Sequence, residues 1–385
     1  MVSLSIASRI ASVFAPQLDI QTVDPFGKGL INSSWVIHCL QSKPQKIFLQ
    51  RMNRHVFNNP EYIIDNLQVL HAHIARLPTP QPNARFLEFP ELIPTHNGAA
   101  YHIDEEGEYW RAFRFMENTQ TLSCIKTSRQ AREIGYVLGR FHALLCDVKL
   151  DQLQITLPDF HVTPSYLLCF DQTYQQSQLS QISAEMQQCL IYIDRFRNDA
   201  DNLEQAKQAK SLPIRLIHGD PKRDNILFDE YGEQAISLID LDTMQPGLIH
   251  YDIGDCMRSC CGAIVSGEHQ FSSMTFDLEL FETILESYLE QTQKLITPIE
   301  YDWFYDAILL IPYELGLRFL TDYLNGNIYF KIEHPQQNLQ KALQQFTLAA
   351  DIETKKTSIQ ATIQLLKQQF NKANPSAEEN HSSSQ

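Results

Sequence analysis

The chain has 385 residues, of which 43% are hydrophobic and 20% are charged, so it is long enough to fold around more than one hydrophobic core. Its 46 acidic and 31 basic side chains give a formal charge of −15, and the lack of a long Lys/Arg run disfavours binding to nucleic acid. The eight cysteines include no CxxC pair, which argues against both a disulfide framework and a zinc site.

The N-terminal stretch MVSLSIASRIASVFAPQ is interrupted by Arg9 and several serines, so it lacks the continuous apolar core of a signal peptide. No window of the sequence approaches the roughly 18 apolar residues that a membrane-spanning helix needs. We therefore expect a soluble cytoplasmic protein that has no membrane partner and is a monomer or a weak dimer.

The first third of the chain predicts a small α+β unit. Residues 1 to about 17 have an amphipathic helical pattern, and GKGLINSSWVIHCL and KIFLQRM alternate like the two strands of a hairpin. A helix follows, because apolar residues recur at Ile63, Leu67 and Leu70 with helical spacing, and Pro60 lies near its first turn. LIPTHNGAAYHID and EYWRAFRFM then predict two more strands.

After residue 117 the pattern changes to long amphipathic helices. In SRQAREIGYVLGRFHALLCDV, for example, Ile134, Leu138 and Phe141 form one apolar stripe. We expect an N-lobe at residues 1–117, a mainly helical C-lobe at 118–372, and a disordered polar tail at 373–385.

The segment LIHGDPKRDNILFD holds a carboxylate, a cation and a carboxamide at fixed spacing before a strand, namely Asp220, Lys222 and Asn225. The continuation NILFDEYGEQAISLID contains two strand-like runs around Gly232, which predicts a β-hairpin. Antiparallel pairing centred near Gly232 sets Asn225 beside Asp240 at the open end of the hairpin. A carboxamide and a carboxylate are oxygen ligands of the kind that Mg²⁺ accepts together with substrate phosphates.

This arrangement fits phosphoryl transfer. The reaction needs in-line positioning, a group that takes or orients the acceptor hydroxyl proton, and positive charge on the transferring oxygens. Asp220, Lys222 and a bound metal would supply these functions. The spacing is that of the general protein-kinase template, in which an Asn follows the catalytic Asp by five residues and a metal-binding Asp follows the hairpin.

With HGD at 218–220, IDLD at 239–242 and LGRFHALL upstream, the sequence resembles the aminoglycoside phosphotransferase and choline kinase branch of the kinase-like superfamily. IDLDTMQPGLIHYDIGDCMRS, LRFLTDYLNGNIYFK, FLQRMN and FHVTP are similar to the N-acetylhexosamine 1-kinases, over roughly residues 23 to 350. The resemblance implies a bilobal protein-kinase-like α+β fold with a small β-rich N-lobe and a larger, mainly helical C-lobe. It also implies ATP-dependent phosphorylation of the anomeric hydroxyl of N-acetylglucosamine or N-acetylgalactosamine, with Mg²⁺.

The resemblance assigns roles residue by residue. Asp220 would be the general base or the hydroxyl-orienting group, and Lys222 would contact the γ-phosphate. Asn225 and Asp240 would bind magnesium, with Asp242 as a second-metal or outer group. The candidates on the nucleotide side are Gly27, Gly29, Asn32, Gln50, Arg51, Met116 and Asn118. The candidates on the sugar side are His161, Arg318, Asp322 and Tyr329.

Some of these assignments stay open at the level of sequence. Either Gln50 or Arg51 would replace the lysine that kinases carry on the third strand, and strand alternation lets only one of the two face the cleft. Charge favours Arg51 for this position. His161 and Arg318 fit sugar binding and lobe packing equally well.

Other residues of the motifs have structural explanations. His218 and the YDIGD segment are expected to brace the catalytic loop, and Arg258 to pair with Asp252 or Asp255. Two other functions also fit the motif, namely phosphorylation of another small alcohol such as an aminoglycoside, choline or homoserine, and nucleotide binding without turnover. A polycationic acceptor needs an acidic pocket, which Arg318 would disfavour.

Overall fold

We describe the protein from a computed structural model, which covers residues 4–15, 19–27, 29, 31–40, 45–78, 85–177, 181–265 and 273–372. As the sequence predicts, the fold is α+β, with a small antiparallel-sheet lobe and a larger helical lobe. The tail predicted at 373–385 lies outside the described residues. Within the described ranges, no helix combines the length and apolar character that crossing a bilayer requires.

The small lobe is an antiparallel sheet with two helices. Its strands are β1 (Asp19–Pro25), β2 (Ser33–Leu40), β3 (Lys46–Arg51), β4 (Leu92–Ile93), β5 (His102–Ile103) and β6 (Tyr109–Arg114), and its helices are α1 (Leu4–Phe14) and α2 (Pro60–Ile74). The strand order is β1-β2-β3-β6-β4, with β5 also paired to β6. The predicted hairpin is β2 and β3. The sequence pattern did not indicate β1, most of whose residues are exposed.

Strand alternation gives this sheet two different faces. Trp35, Leu49 and Ala112 pack against α1 in a small hydrophobic core. Gln50 and Arg111 are cross-strand neighbours in the β3–β6 pairing and project from the other face, towards the large lobe. The inner face of the sheet therefore carries polar side chains to the cleft between the lobes.

Helices make up most of the large lobe. They are α3 (Ser128–Leu144), α4 (Thr163–Gln176), α5 (Ala184–Phe196), α6 (Asn202–Gln208), α7 (Ile249–Cys261), α8 (Leu278–Thr292), α9 (Phe304–Leu324), α10 (Gln337–Thr354) and α11 (Lys356–Lys372). The central helix α9 packs against α4, α7 and α10. Helix α3 lies close against α8 at Gly135, where an added Cβ would be 2.2 Å from the backbone oxygen of Ile284.

Short strands position the catalytic segment. They are β7 (Thr119–Gln120), β8 (Arg215–Ile217), β9 (Ile226–Asp229), β10 (Ala235–Leu238), β11 (Gln245–Gly247), β12 (Gly262–Val265) and β13 (Ser273–Phe276). Strand β8 pairs with β11, and β9 pairs with β10. Residues 218–225 and 239–244 therefore connect the same two sheets and run side by side.

The predicted hairpin is β9–β10, but its register differs from the prediction by one residue. The N–H of Ile239 donates to the carbonyl of Asn225 at 2.9 Å, so Asn225 lies opposite Ile239 rather than Asp240. The turn is closed by a bond from the Gly232 N–H to the Asp229 carbonyl and is centred earlier than predicted. A shift in register between Ala235 and Ser237 of β10 moves the pairing back towards the predicted register, but not all the way.

Candidate active site

The buried carboxylate of Asp252, in the YDIGD segment of α7, holds the backbone of the catalytic loop. Its Oδ2 accepts from the N–H of His218 at 2.7 Å, and its Oδ1 accepts from the N–H of Gly219 at 2.8 Å. His142 of α3 donates its Nε2–H to Oδ2 at 2.9 Å. Burial alone would raise the pKa of Asp252, but the bond to His142 and its charge lower it. The bracing role predicted for YDIGD is therefore confirmed.

His218 is a buried neutral ring that ties the loop to the hairpin. Its Nδ1 accepts from the N–H of Asp220 at 3.2 Å, and its Nε2–H donates to the carbonyl of Ile239 at 3.1 Å, which fixes the tautomer. Burial lowers the pKa of His218, in keeping with an uncharged imidazole. Arg258 pairs with Asp255 at 2.8 Å, which is one of the two partners expected for it.

Gly219 forms the turn that presents Asp220. Its φ is 86°, and an added Cβ would lie 2.7 Å from the carbonyl oxygen of Thr243. Because the hydroxyl of Thr243 donates to the carbonyl of His218 at 2.9 Å, that neighbour is itself fixed. Glycine satisfies both the backbone conformation and the close approach.

Asp220, Lys222 and Asn225 form one hydrogen-bonded group. The Oδ2 of Asp220 accepts from the Lys222 ammonium and from the Asn225 Nδ2 at 3.0 Å, and this Nδ2 also donates to the backbone oxygen of Asp220 at 2.8 Å. Burial opposes ionisation of Asp220, but the charge of Lys222 lowers its pKa. Burial also opposes the charge of Lys222, but Asp220 and Asp240 raise its pKa. At neutral pH Asp220 is therefore a carboxylate, able to accept a proton.

The candidate oxygen ligands for a metal ion belong to Asn225, Asp240 and Asp242. The Nδ2 of Asn225 is bonded to Asp220, whereas its Oδ1 accepts no hydrogen bond from the part of the chain that the structure describes. Asp240 has a left-handed backbone conformation (φ 64°, ψ 55°), and its carboxylate accepts no hydrogen bond from the described residues. Burial and the like charge of Asp242 raise the pKa of Asp240 to about 6, and a divalent cation would relieve this excess of negative charge. Two carboxylates and a carboxamide fit Mg²⁺.

Asp242 also links the two lobes. Arg111 of β6 forms an ion pair with its Oδ1, and the Nδ2 of Asn32 donates to its Oδ2 at 2.7 Å. The Oδ1 of Asn32 accepts from the N–H of Asn53 at 3.0 Å. Asn32, predicted to cover the phosphates, therefore holds a candidate metal group from the small lobe.

The predicted phosphate loop lies between β1 and β2. Gly27 has a φ of 77°, and no atom of the described residues lies within 4 Å of an added Cβ, so its conformation rather than its packing requires glycine. Lys331, seven residues beyond the end of α9, donates to the carbonyls of Gly29 at 3.1 Å and Asn32 at 3.2 Å. The loop is thus tethered to the large lobe.

Of the two candidates on β3, Gln50 faces the cleft. Its Oε1 accepts from the Nε of Arg111 at 3.0 Å. Arg51, the next residue, projects from the opposite side of the strand, and its contact with phosphate stays a prediction. The buried cation on this face is Arg111, which the sequence reasoning missed. An arginine in the middle of the strand, between the apolar residues Trp110 and Ala112, is the signal that points to it.

Met116 and Asn118 lie in the segment that joins the lobes. The carbonyl of Met116 accepts from the hydroxyl of Thr119 at 2.8 Å, and Asn118 is exposed with a φ of 56°. A cavity of about 590 Å³ borders Met116 and Glu117. Contact of this segment with adenine stays a prediction.

His161 supports the backbone of the catalytic loop. It is 4% exposed; its Nε2–H donates to the carbonyl of Gly219 at 2.6 Å, and its Nδ1–H faces the Oε1 of Glu314 at 3.1 Å. Burial opposes a charge on the ring, but Glu314 raises the pKa of His161, and both nitrogens meet acceptors. Of the two roles left open for His161, sugar binding and packing within the lobe, the geometry favours packing.

Arg318 of α9 lies in an aromatic cage. Its guanidinium carbon is 5.2, 5.3 and 5.8 Å from the ring centres of Phe160, Tyr166 and Phe330. Burial opposes the charge, but the hydroxyls of Tyr166 and Tyr329 raise the pKa of Arg318. The side chain is therefore a cation held by aromatic faces.

Asp322, predicted as a sugar contact, caps the loop that carries Tyr329. Its Oδ1 accepts from the N–H groups of Ile328 at 2.9 Å and Tyr329 at 2.8 Å. Its Oδ2 accepts from the N–H of Phe330 at 3.0 Å and from the Nδ2 of Asn338 at 2.8 Å. Because four donors occupy this buried carboxylate, it positions the loop, whereas Tyr329 is 37% exposed and accessible to a ligand.

Solved structures share this fold over nearly the whole chain. The GDP complex of aminoglycoside 2'-phosphotransferase-IIIa matches with a TM-score of 0.61 and 12% identity, over 92% of this chain and 99% of that one. A microcompartment-associated aminopropanol kinase matches with 0.60 and 15%, over 93% and 99%. Choline kinase from Cryptosporidium parvum Iowa II matches with 0.57 and 14%, over 96% and 100%. These likenesses show the bilobal kinase-like fold.

A family model described as the phosphotransferase enzyme family matches residues 22–288, which is more than half of the chain. The matched region contains strands β2 to β6 of the small lobe, the catalytic loop and the hairpin, whereas Arg318 and Tyr329 lie beyond it. The chain therefore belongs to the phosphotransferase enzyme family and is a small-molecule phosphotransferase.

Proposed function

We propose that this phosphotransferase is an ATP-dependent kinase that phosphorylates the anomeric hydroxyl of an N-acetylhexosamine. The observation that supports a neutral acceptor is the aromatic cage around Arg318. A quaternary ammonium group binds against the faces of aromatic rings. In this chain the guanidinium of Arg318 already lies against three such rings. A cationic acceptor such as choline or an aminoglycoside would also be repelled by this charge.

The choice of an N-acetylhexosamine rests on sequence. Arg318 and Tyr329 belong to the string LRFLTDYLNGNIYFK, which is similar to the N-acetylhexosamine 1-kinases. Neutral hydroxyls and an acetamido group call for a few directed polar contacts beside an aromatic surface. Guanidinium donors and the exposed ring of Tyr329 offer that combination.

In the proposed reaction, the carboxylate of Asp220 orients the acceptor hydroxyl and takes its proton. The acceptor oxygen forms a bond to the γ-phosphorus while the bond from phosphorus to the bridging oxygen breaks, which releases ADP. Lys222 exchanges its bond to Asp220 for the γ-phosphate oxygens. Asn225, Asp240 and Asp242 would hold Mg²⁺, which neutralises charge on the β- and γ-phosphates.

An acceptor panel tests the proposal. The protein is incubated with Mg-ATP and either N-acetylglucosamine, N-acetylgalactosamine, choline, homoserine or an aminoglycoside, and ADP release is followed. Turnover is expected with an N-acetylhexosamine and not with its methyl glycoside, in which the anomeric hydroxyl is blocked. Turnover with choline, homoserine or an aminoglycoside alone would replace the sugar by that alcohol. Nucleotide binding without acceptor-dependent ADP release would indicate a regulator instead.

The role of Asp220 is tested separately by Asp220→Asn. We expect turnover to fall by about 10²-fold or more, with ADP affinity nearly unchanged because the base contacts the acceptor. Asp224→Asn is the matched control, because Asp224 lies in the same loop with 69% of its side chain exposed. If Asp220→Asn kept most of its activity, the base would have to be another residue.

A further inference from the structure

Arg111 is a buried cation with unused hydrogen-bonding capacity. The residue is 1% exposed; its Nε donates to the Oε1 of Gln50 at 3.0 Å, and its Nη2 donates to both Gln50 and Asp242. Its Nη1 is also buried and has no hydrogen-bond partner among the described residues. A buried donor left unpaired costs free energy, so this nitrogen indicates a ligand that completes it.

The location of Arg111 identifies the kind of ligand. Its guanidinium lies on the inner face of the sheet, where it meets Asp242 of the candidate metal site, and Asn32 of the predicted phosphate loop binds the other oxygen of the same carboxylate. Arg111 thus stands between the loop and the metal site, where the phosphates of a nucleotide would lie. A guanidinium suits phosphate because it keeps its charge and donates hydrogen bonds to phosphate oxygens, here from the unpaired Nη1.

The neighbouring strand explains why this cation comes from β6. Kinases usually carry their phosphate-binding lysine on β3, but in this chain the inner face of β3 presents the neutral Gln50. Gln50 and Arg111 are directly opposite in the β3–β6 pairing, and the carboxamide oxygen of Gln50 anchors the guanidinium. Lys46, on the same face of β3, is four residues away and lies over the ring of Phe115.

We infer that Arg111 binds the α- and β-phosphates of the nucleotide, so that the cation of the phosphate clamp is supplied by β6 and anchored by Gln50. This inference rests on the proposed kinase function and adds a residue to it. In the absence of nucleotide, Asp242 partly neutralises the guanidinium. When nucleotide binds, phosphate oxygens complete the unpaired Nη1.

The test compares the binding of ADP and of adenosine by calorimetry, in EDTA and in Mg²⁺. Arg111→Met should weaken ADP binding by about 10-fold or more while leaving adenosine affinity within about 2-fold, and the loss should persist in EDTA. Arg111→Lys, which keeps a charge without the fork, should recover part of the loss. Arg54→Met is the control, because Arg54 is an exposed arginine of the same lobe. If Arg111→Met does not fold, Arg111→Gln takes its place in the comparison.

A double-mutant cycle separates phosphate binding from a purely structural role. If Arg111 served only to neutralise Asp242, Arg111→Met would have no effect on ADP binding in an Asp242→Asn background, and that result would overturn the inference. If Arg111 binds phosphate, the loss of ADP affinity persists in that background. If the wild type binds ADP and Arg111→Met binds it with the same affinity, this inference alone is refuted. If the wild type does not bind ADP, the kinase proposal is refuted as well.

Discussion

Replacing Asp252 by Asn tests whether this carboxylate holds the catalytic loop in place. Asp252 is fully buried and accepts from the N–H groups of His218 and Gly219 and from His142. Asn keeps one oxygen, but in either orientation its NH₂ group faces at least one backbone N–H. Hydrogen bonds to a buried charge are worth about 1.5–3 kcal/mol each, and removing one member of a buried pair costs about 3–5 kcal/mol. We expect a loss of about 3–5 kcal/mol in unfolding free energy.

Urea unfolding followed by far-UV circular dichroism reports on the helical lobe that contains Asp252. For a slope of about 3 kcal/mol/M, the expected loss lowers the midpoint by roughly 1 M or more. The pKa of Asp252 is lowered in the folded state, so its stabilisation is present above the unfolded pKa of about 3.9 and is lost as the pH falls. The deficit of the variant should therefore persist from pH 8 to about pH 5 and shrink below about pH 4. A deficit under 1 kcal/mol at pH 7 would refute this reasoning.

Two further substitutions test the support of the same loop. Gly219→Ala should lower the melting temperature and turnover by more than Gly98→Ala does. Both glycines have positive φ, at 86° and 84°, but of the two only Gly219 would place the new Cβ against backbone, 2.7 Å from the Thr243 oxygen. Equal effects of the two substitutions would contradict the steric argument. Glu314→Gln should destabilise the protein more at pH 6 than at pH 9 in thermal melts. The reason is that the pKa of His161 is raised in the folded state. The stabilisation that Glu314 gives by pairing with charged His161 is therefore complete below the unfolded pKa of about 6.5 and is lost as the pH rises through the folded pKa. A difference in melting temperature between wild type and variant that does not change with pH would contradict a charged His161.

Local patterns were enough to predict the fold class and the catalytic segment. The spacing of Asp220, Lys222 and Asn225, together with the turn residue Gly232, predicts the loop and hairpin that the structure contains. The predicted register of the hairpin differs from the observed one by one residue. Sequence symmetry shows neither which residues form the centre of a turn nor where a strand contains an irregularity. The sequence also left open which face of β3 lines the cleft. Strand alternation places Gln50 and Arg51 on opposite faces but does not show which of the two faces the cleft.

The rest of the site depends on contacts between residues that are far apart in the chain. His161 meets Gly219 and Glu314, and no pattern around His161 encodes either contact. Arg111 and Asp242 are 131 residues apart, so their ion pair exists only once the lobes are assembled. A polar residue in an apolar strand or helix shows from sequence that a partner must exist, because an unpaired buried charge is costly, but not which residue it is.

The two sides of the site differ in what holds them. The groups that fix the base, Asp252, His218 and His161, all lie in the large lobe, so they keep Asp220 in place whether the cleft is open or closed. The candidate metal group Asp242 is bonded instead from the small lobe, through Arg111 and Asn32. Opening the cleft must break both bonds. Two donors are then lost from Asp242, while the base is unchanged. The contacts of the candidate metal group thus depend on how the two lobes are joined, whereas those of the base do not.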